Sequence, residues 1–234
     1  MKPLLFYANR NCPYAQRSWL TLLELQIDFE YQEIELGKDN KTDWFRTLNP
    51  NGTVPTIKHG STVVYESLVV NEYLCEVFGS DEVILMPSDP AQQAYARILI
   101  FRCDSKLVKL SFSYLSHKCT DDTAKDDQLR TQLEDELRFI DTALGESGGC
   151  YFLGEKVSLV DIAYIPFFER MNVALSAFKD FEIKSLALPH LNAWLEAMSN
   201  RESYQKTCLE PERIKELYSR FLKLDYFKRV GIAQ

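Results

Sequence analysis

The first third of the chain alternates short β-forming segments with amphipathic helical segments. Apolar and β-branched side chains predict strands over residues 4–8, 29–36, 53–59 and 62–65, with a tight turn between the last two. Helical spacing predicts helices that begin at Pro13, over 43–48, and over 67–78 with Ser67 as the N-cap. Residues 1–79 are therefore predicted to form an α/β domain in the order βαβαββα.

The rest of the chain has the apolar spacing of helices, over residues 91–115, 128–144, 159 onward, 188–199 and 210–224. Pro87 and Pro90 lie in a stretch without periodicity and predict a linker over 80–89, followed by an all-α domain over 90–234. Ser158 and Asp161 have the spacing of a capping box. The apolar faces predicted on three helices are Val69, Val70, Tyr73, Leu74 and Val77; Ala94, Ile98, Phe101, Leu107 and Val108; and Leu133, Leu137, Ile140 and Leu144.

Composition narrows the class of protein. The 234 residues are 46% hydrophobic and 26% charged, which is typical of a soluble globular protein. The formal net charge of -7, without a long basic run, argues against nucleic acid as the main partner. No apolar run approaches the roughly 20 residues that span a bilayer, and the first strand begins too early for a leader. We expect a cytoplasmic protein, and a plastid form whose targeting peptide has been removed is the alternative.

Six widely separated cysteines never form a C-x-x-C pair, so neither a disulfide framework nor a zinc site is predicted. His117 and Cys119 come nearest to a ligand cluster, but the chain has only three histidines, and we expect no bound metal. Free cysteines fit a reducing compartment.

Cys12 is the candidate nucleophile. It follows the first strand, and Pro13 fits the first position of a helix, which makes Cys12 the N-cap. There the helix dipole and the N–H groups of Tyr14 and Ala15 would favour the thiolate and lower the pKa of Cys12. The residue three positions later is Ala15 and not a second cysteine, so an external thiol would have to release any disulfide-bound partner.

Four motifs in order resemble the soluble glutathione transferases. They are residues 12–17 (Cys-Pro-Tyr-Ala-Gln-Arg), residues 49–55 (Asn-Pro-Asn-Gly-Thr-Val-Pro), Glu66-Ser67, and the C-terminal stretch 152–170. The cysteine at position 12 is similar to that of the cysteine-type classes, omega, lambda and dehydroascorbate reductase, and the C-terminal stretch resembles the plant-type lambda class most. The resemblance implies the glutathione transferase fold, a thioredoxin-like domain followed by an all-α domain.

The resemblance also implies a glutathione site. Cys12 would be catalytic, Pro55 would be the family's cis-proline, and the backbone of Val54 would pair with the cysteinyl part of glutathione. Ser67 and the helix start would bind the γ-glutamyl carboxylate, and Glu66 its ammonium group. Lys41 matches a lysine that pairs with the glycyl carboxylate in the omega class.

The expected activity is glutathione-dependent thiol transfer, or deglutathionylation, on small aromatic or phenolic glutathione adducts, with glutathione as co-substrate. Conjugation of electrophiles is expected to be inefficient, because a cysteine tends to form a mixed disulfide. The nearest alternatives are a dehydroascorbate reductase and a non-catalytic carrier of aromatic metabolites. A membrane-inserting relative, similar to the chloride intracellular channel proteins, is disfavoured because Glu24, Gln26 and Asp28 interrupt the candidate segment. Lambda relatives imply a monomer.

Overall fold

A computed structural model describes residues 3–118, 120 and 122–232 of the chain. A four-stranded sheet forms from strands β1 (Leu4–Ala8), β2 (Glu30–Glu33), β3 (Thr56–His59) and β4 (Thr62–Tyr65). The spatial order is β2-β1-β3-β4, with β1 and β2 parallel and the other neighbouring pairs antiparallel. Apolar side chains of the central strands β1 and β3, such as Phe6 and Ile57, are fully buried in the core.

Three helices complete this part: α1 (Pro13–Glu24), α2 (Asp43–Leu48) and α3 (Ser67–Phe78), with a 3-10 turn at Asp39–Lys41. The predicted order βαβαββα is confirmed. Strand β2 is shorter than the predicted 29–36, because the chain leaves the sheet after Ile34 N donates to Ala8 O (2.7 Å) and turns at Gly37 (φ 94°).

The N-cap of α3 is the residue before Ser67, so the prediction of Ser67 as the N-cap is wrong. Glu66 occupies the N-cap with φ 69°, and Ser67 is the first helical residue. The first intrahelical hydrogen bond runs from Val70 N to Glu66 O (2.8 Å). The left-handed backbone of Glu66 turns the chain from β4 directly into α3, which moves the cap one residue before the predicted Ser67.

The second part of the chain is helical, as predicted. Its helices are α4 (Pro90–Arg102), a π-helical turn (Cys103–Val108), α5 (Lys109–Ser116), α6 (Thr123–Glu146), α7 (Leu159–Lys179), α8 (Pro189–Ser199), α9 (Glu202–Thr207), α10 (Pro211–Lys223) and α11 (Tyr226–Arg229). A 3-10 turn lies at Ile183–Ser185. The predicted continuous helix over 91–115 is wrong, because the π-helical turn separates α4 from α5.

The predicted apolar faces have mixed outcomes. On α6, Leu133, Leu137, Ile140 and Leu144 are all buried, as predicted. On α4 the predicted face is wrong: Ala94 is exposed, as are Ile98 (62%) and Phe101 (72%). The buried face of α4 is formed instead by Ala96, Leu99 and Ile100. On α3, Val70 and Leu74 are buried, whereas Val69 and Val77 are exposed.

The capping box at the start of α7 is confirmed and extends further than the sequence indicated. Ser158 Oγ accepts a hydrogen bond from Val160 N (3.2 Å), and Asp161 accepts one from Ser158 N (2.8 Å). The same buried carboxylate also accepts from Phe152 N (3.1 Å) and from Trp194 Nε1 (2.8 Å). Asp161 therefore ties α7 both to the preceding loop and to α8.

The chain divides into two compact units. One contains the chain through Ser88 together with Glu202–Thr207, and the other contains Asp89–Arg201 and the chain from Cys208 onward. The sequence division assigned Glu202–Thr207 to the helical part, whereas here α9 packs on α1 in the first unit, where Gln16 Nε2 donates to Thr207 Oγ1 (3.5 Å). None of the helices in the described ranges is long and apolar enough to cross a membrane.

Candidate active site

One end of the sheet gathers the segments that carry the predicted site residues. Ala8 pairs with Glu33, Tyr7 with Thr56, and Thr56 with Tyr65. The C-terminal ends of β1, β2 and β4 therefore lie beside the N-terminal end of β3. This topology brings together the loop before α1, the segment before β3 and the start of α3.

Cys12 is the N-cap of α1 and Pro13 is the first helical residue, as the sequence predicted. Its backbone carbonyl accepts a hydrogen bond from Gln16 N (3.0 Å). Cys12 Sγ makes no capping hydrogen bond in the described chain, and its S–H donates to Val54 O (3.8 Å). The predicted capping bonds from Tyr14 and Ala15 to the sulfur are therefore not confirmed.

Val54 and Pro55 form a cis peptide bond immediately before β3, as the resemblance implied. The buried Asn49 amide organises the loop before them, because Nδ2 donates to Thr53 O (2.9 Å) and to Thr56 Oγ1 (3.0 Å). The loop and the antiparallel β1–β3 pairing together fix Val54 O opposite Cys12.

The start of α3 adds the next part of the site. Ser67 is buried, with 6% of its surface exposed, and Glu66 is exposed. The Glu66 carboxylate accepts a hydrogen bond from Asn51 Nδ2 (2.9 Å), which links it to the loop before Val54. Because the first turn of a helix has N–H groups without intrahelical acceptors, this end of α3 favours an anion.

Lys41 ends the 3-10 turn and is exposed to solvent. The turn is held against the loop before Val54, since Asn40 Nδ2 donates to Gly52 O (2.7 Å). Gly52 has φ 60°, and a Cβ there would lie only 2.6 Å from the backbone oxygen of Asn40. Only glycine fits this close approach. The approach places the turn with Lys41 beside the segment that carries Val54.

The cysteines differ in their surroundings, and none of the five in the described ranges is in a disulfide bond. Cys75 lies on α3, where burial, with smaller contributions from Glu72 and Glu76, raises the pKa of its thiol to about 12. Cys119 of the weak ligand cluster lies outside the described residues. Among those described, no group of three or more His, Cys, Asp or Glu side chains could hold a metal ion.

The asparagines that hold the loops in place were missed by the sequence analysis. Asn9 accepts from a main-chain N–H of the segment that carries Cys12, and Asn40 and Asn49 donate to main-chain carbonyls of the segment before Val54. Their only sequence signal is the tendency of asparagine to satisfy nearby backbone groups in loops. Residues 49–55 were therefore recognised as a family motif, without a structural role for Asn49.

Comparisons with known proteins agree with this geometry. The family model described as "Glutathione S-transferase, N-terminal domain" matches residues 11–77, and "Glutathione S-transferase, C-terminal domain" matches residues 92–197. The chain is 31% identical to Glutathione S-transferase L1 of Arabidopsis thaliana, covering 92% of this chain and 86% of that protein. It is 28% identical to Glutathione S-transferase omega-1 of Sus scrofa, covering 93% of this chain and 85% of that protein.

The fold is similar to a solved structure as well. The crystal structure of glutathione transferase Omega 3C from Trametes versicolor superposes with a TM-score of 0.82 at 28% identity, covering 97% of this chain and 93% of that one.

Proposed function

Because this chain belongs to the glutathione S-transferase family, we propose that it is a cysteine-type member that removes glutathione from small adducts through a mixed disulfide on Cys12. The observation that carries the proposal is the position of Cys12, an N-cap cysteine whose sulfur lies 3.8 Å from Val54 O beside a cis-proline. A hydroxyl at this position would only activate bound glutathione, whereas a thiolate can bond to the glutathione sulfur.

The reaction has two balanced steps. In the first, the Cys12 thiolate attacks the glutathione sulfur of an aromatic adduct, the carbon–sulfur bond breaks, and the aromatic group leaves with a proton taken from solvent. When the substrate is a mixed disulfide, the sulfur–sulfur bond breaks and a thiol leaves instead. In the second, a glutathione thiolate attacks the enzyme disulfide, which regenerates the Cys12 thiolate and releases oxidised glutathione.

The contact with Val54 places the Cys12 sulfur where the cysteinyl part of glutathione would pair. The S–H donates to Val54 O (3.8 Å), and the second lone pair of that carbonyl can accept from the N–H of the cysteinyl part of glutathione. Once the proton is lost, the positive end of the α1 dipole favours the thiolate that attacks the bound sulfur.

The remaining groups of glutathione would bind at the same end of the sheet. We assign the γ-glutamyl carboxylate to Ser67 and the first turn of α3, and its ammonium group to the Glu66 carboxylate. The glycyl carboxylate is assigned to Lys41, whose turn is held near Val54 through Asn40. Each role places a charge of glutathione beside an opposite charge or a hydrogen-bond donor.

The test compares the wild type with Cys12→Ser, using Cys150→Ser as the matched control because Cys150 is exposed and lies in the other unit. We expect Cys12→Ser to abolish glutathione transfer from a mixed disulfide and from a flavonol adduct, while Cys150→Ser retains the wild-type rate. Weak conjugation of a nitroaromatic electrophile is expected to appear in Cys12→Ser, because its hydroxyl can donate a hydrogen bond to the glutathione thiolate. Full deglutathionylation by Cys12→Ser would disprove the mechanism.

The same substrates, with dehydroascorbate added, separate the alternatives. Turnover restricted to dehydroascorbate would assign the protein as a dehydroascorbate reductase. Binding of aromatic ligands that persists in Cys12→Ser, without turnover of any substrate, would assign it as a carrier.

We further propose that the protein is a cytoplasmic monomer. The free thiols of the five described cysteines support a reducing compartment. Sedimentation equilibrium that shows a stable dimer, or fractionation that finds the protein in plastids, would overturn the respective assignment.

A further inference from the structure

Asn9 lies in the loop that carries Cys12, and both the nitrogen and the oxygen of its side-chain amide make hydrogen bonds. Nδ2 donates to Ile34 O (3.0 Å) and to Glu33 Oε1 (2.8 Å), both at the end of β2. Oδ1 accepts from Asn11 N (3.1 Å), the residue directly before Cys12. The side chain is buried, with 9% of its surface exposed.

The main chain of Asn9 adds a second link to the nucleophile, because Cys12 N donates to Asn9 O (2.9 Å). The loop over residues 9–12 is therefore joined to β2 on one side and to the N-cap of α1 on the other. Strand β1 alone would not fix this loop, since β1 ends at Ala8. The amide of Asn9 connects the loop to the neighbouring strand by two hydrogen bonds.

We propose that Asn9 is a positioning residue for Cys12, which holds the N-cap so that the sulfur stays at the start of α1 and opposite Val54. The effect of Asn9 on catalysis rests on the proposed function. The effect of Asn9 on the direction and ionisation of the Cys12 thiol does not depend on it. A loop released from β2 would let the N-cap turn away from the helix axis, where the dipole no longer favours the thiolate.

The first test is Asn9→Leu, which has a similar size but neither donor nor acceptor. We measure alkylation of Cys12 by iodoacetamide across pH, with the labelled residue identified by mass spectrometry. The expected result is that the labelling midpoint moves upward, toward the value of an ordinary thiol near ~8.5. We also expect kcat/KM for thiol transfer to fall roughly ten-fold or more, while the glutathione Kd changes less than about two-fold.

The control is Tyr164→Phe, which removes a buried hydrogen bond from Tyr164 to Leu99 O (3.0 Å) in the other unit. A general loss of stability would affect both variants in the same way. An upward shift confined to Asn9→Leu supports the proposal. An equal shift in Tyr164→Phe, or a wild-type midpoint in Asn9→Leu, overturns it.

A second variant tests the donors of the amide. Asn9→Asp keeps an oxygen for Asn11 N but loses both donors and places a carboxylate against Glu33. We expect Asn9→Asp to move the Cys12 labelling midpoint upward as Asn9→Leu does, because the donors to Ile34 O and Glu33 Oε1 are lost while the acceptor for Asn11 N is kept. A wild-type midpoint in Asn9→Asp overturns the role of the donors.

Two further results, a variant that does not fold and a wild type without activity, still leave the role of Asn9 testable. If Asn9→Leu does not fold, Asn9→Ser decides, because a hydroxyl has a single donor and cannot replace both Nδ2 bonds of Asn9. A smaller upward shift of the midpoint in that variant supports the proposal, and an unchanged midpoint overturns it. If the wild type transfers no glutathione, the proposed function fails, while the labelling midpoints still decide the role of Asn9.

Discussion

Gly52→Ala tests the close approach between the turn that carries Lys41 and the loop before Val54. A Cβ at Gly52 would lie 2.6 Å from Asn40 O, roughly 0.8 Å short of an ordinary contact. The left-handed backbone (φ 60°) costs an alanine about 1–2 kcal/mol, and loss of the bond from Asn40 Nδ2 to Gly52 O costs about 1 kcal/mol more. We therefore expect a destabilisation of about 2–3 kcal/mol.

The matched control is Gly148→Ala, because Gly148 has φ 74° but nothing within 4 Å of its added Cβ. The Gly148→Ala variant has the same unfavourable backbone conformation but no steric clash. By calorimetry we expect Tm to fall roughly 5–10 °C for Gly52→Ala and roughly 2–5 °C for Gly148→Ala. Gly52→Ala should also weaken glutathione binding roughly three-fold or more, because the turn with Lys41 is displaced. Equal melting temperatures for the two variants would refute the argument.

The remaining predictions concern the ligand, the thiols and the helical unit. Ser67→Ala should weaken glutathione binding roughly ten-fold and Lys41→Ala less, with little change in kcat at saturation, and calorimetric titration that finds wild-type affinity in both would remove these assignments. Iodoacetamide should label Cys12 at neutral pH and spare Cys75, whose pKa is raised to about 12 by burial, and mass spectrometry that finds Cys75 labelled first would contradict the reactive assignment. Ser158→Ala should lower the free energy of unfolding by about 0.5–2 kcal/mol without affecting Cys12, and urea unfolding at the wild-type midpoint would show that the capping box contributes nothing.

The raised pKa of Cys75 also makes the free energy of unfolding depend on pH. Burial raises the pKa of Cys75 in the folded protein above that of an ordinary thiol, so the folded state holds the proton more tightly than the unfolded state. Stability from this group is complete below pH 9 and is lost as the pH rises toward 12. Unfolding measured across this range should show the loss in the wild type and a smaller one in Cys75→Ala.

The order of elements was predictable because strands and turns have local signals. Pro13 and Gly60-Ser61 act through their own backbone preferences, which do not depend on the rest of the fold. The buried face of α4 was not predictable in the same way. The set with Ile98 and the set with Leu99 both satisfy helical spacing, and only the packing partners of α4 determine which of them is buried.

Cys12 was predicted from its place at a helix start and the other candidate site residues from the family resemblance, while their orientation needed the structure. Cys12, Val54 and Ser67 all adjoin strand ends, and a mixed sheet brings those ends together. The direction of the Cys12 thiol depends on a carbonyl 42 residues later in the chain, which no local pattern encodes. The loops that fix both atoms are held by buried asparagine amides, such as Asn9 and Asn49, whose partners lie on other segments. Because an amide offers both a donor and an acceptor, one residue can join two segments, and sequence alone shows the residue without showing which segments it joins.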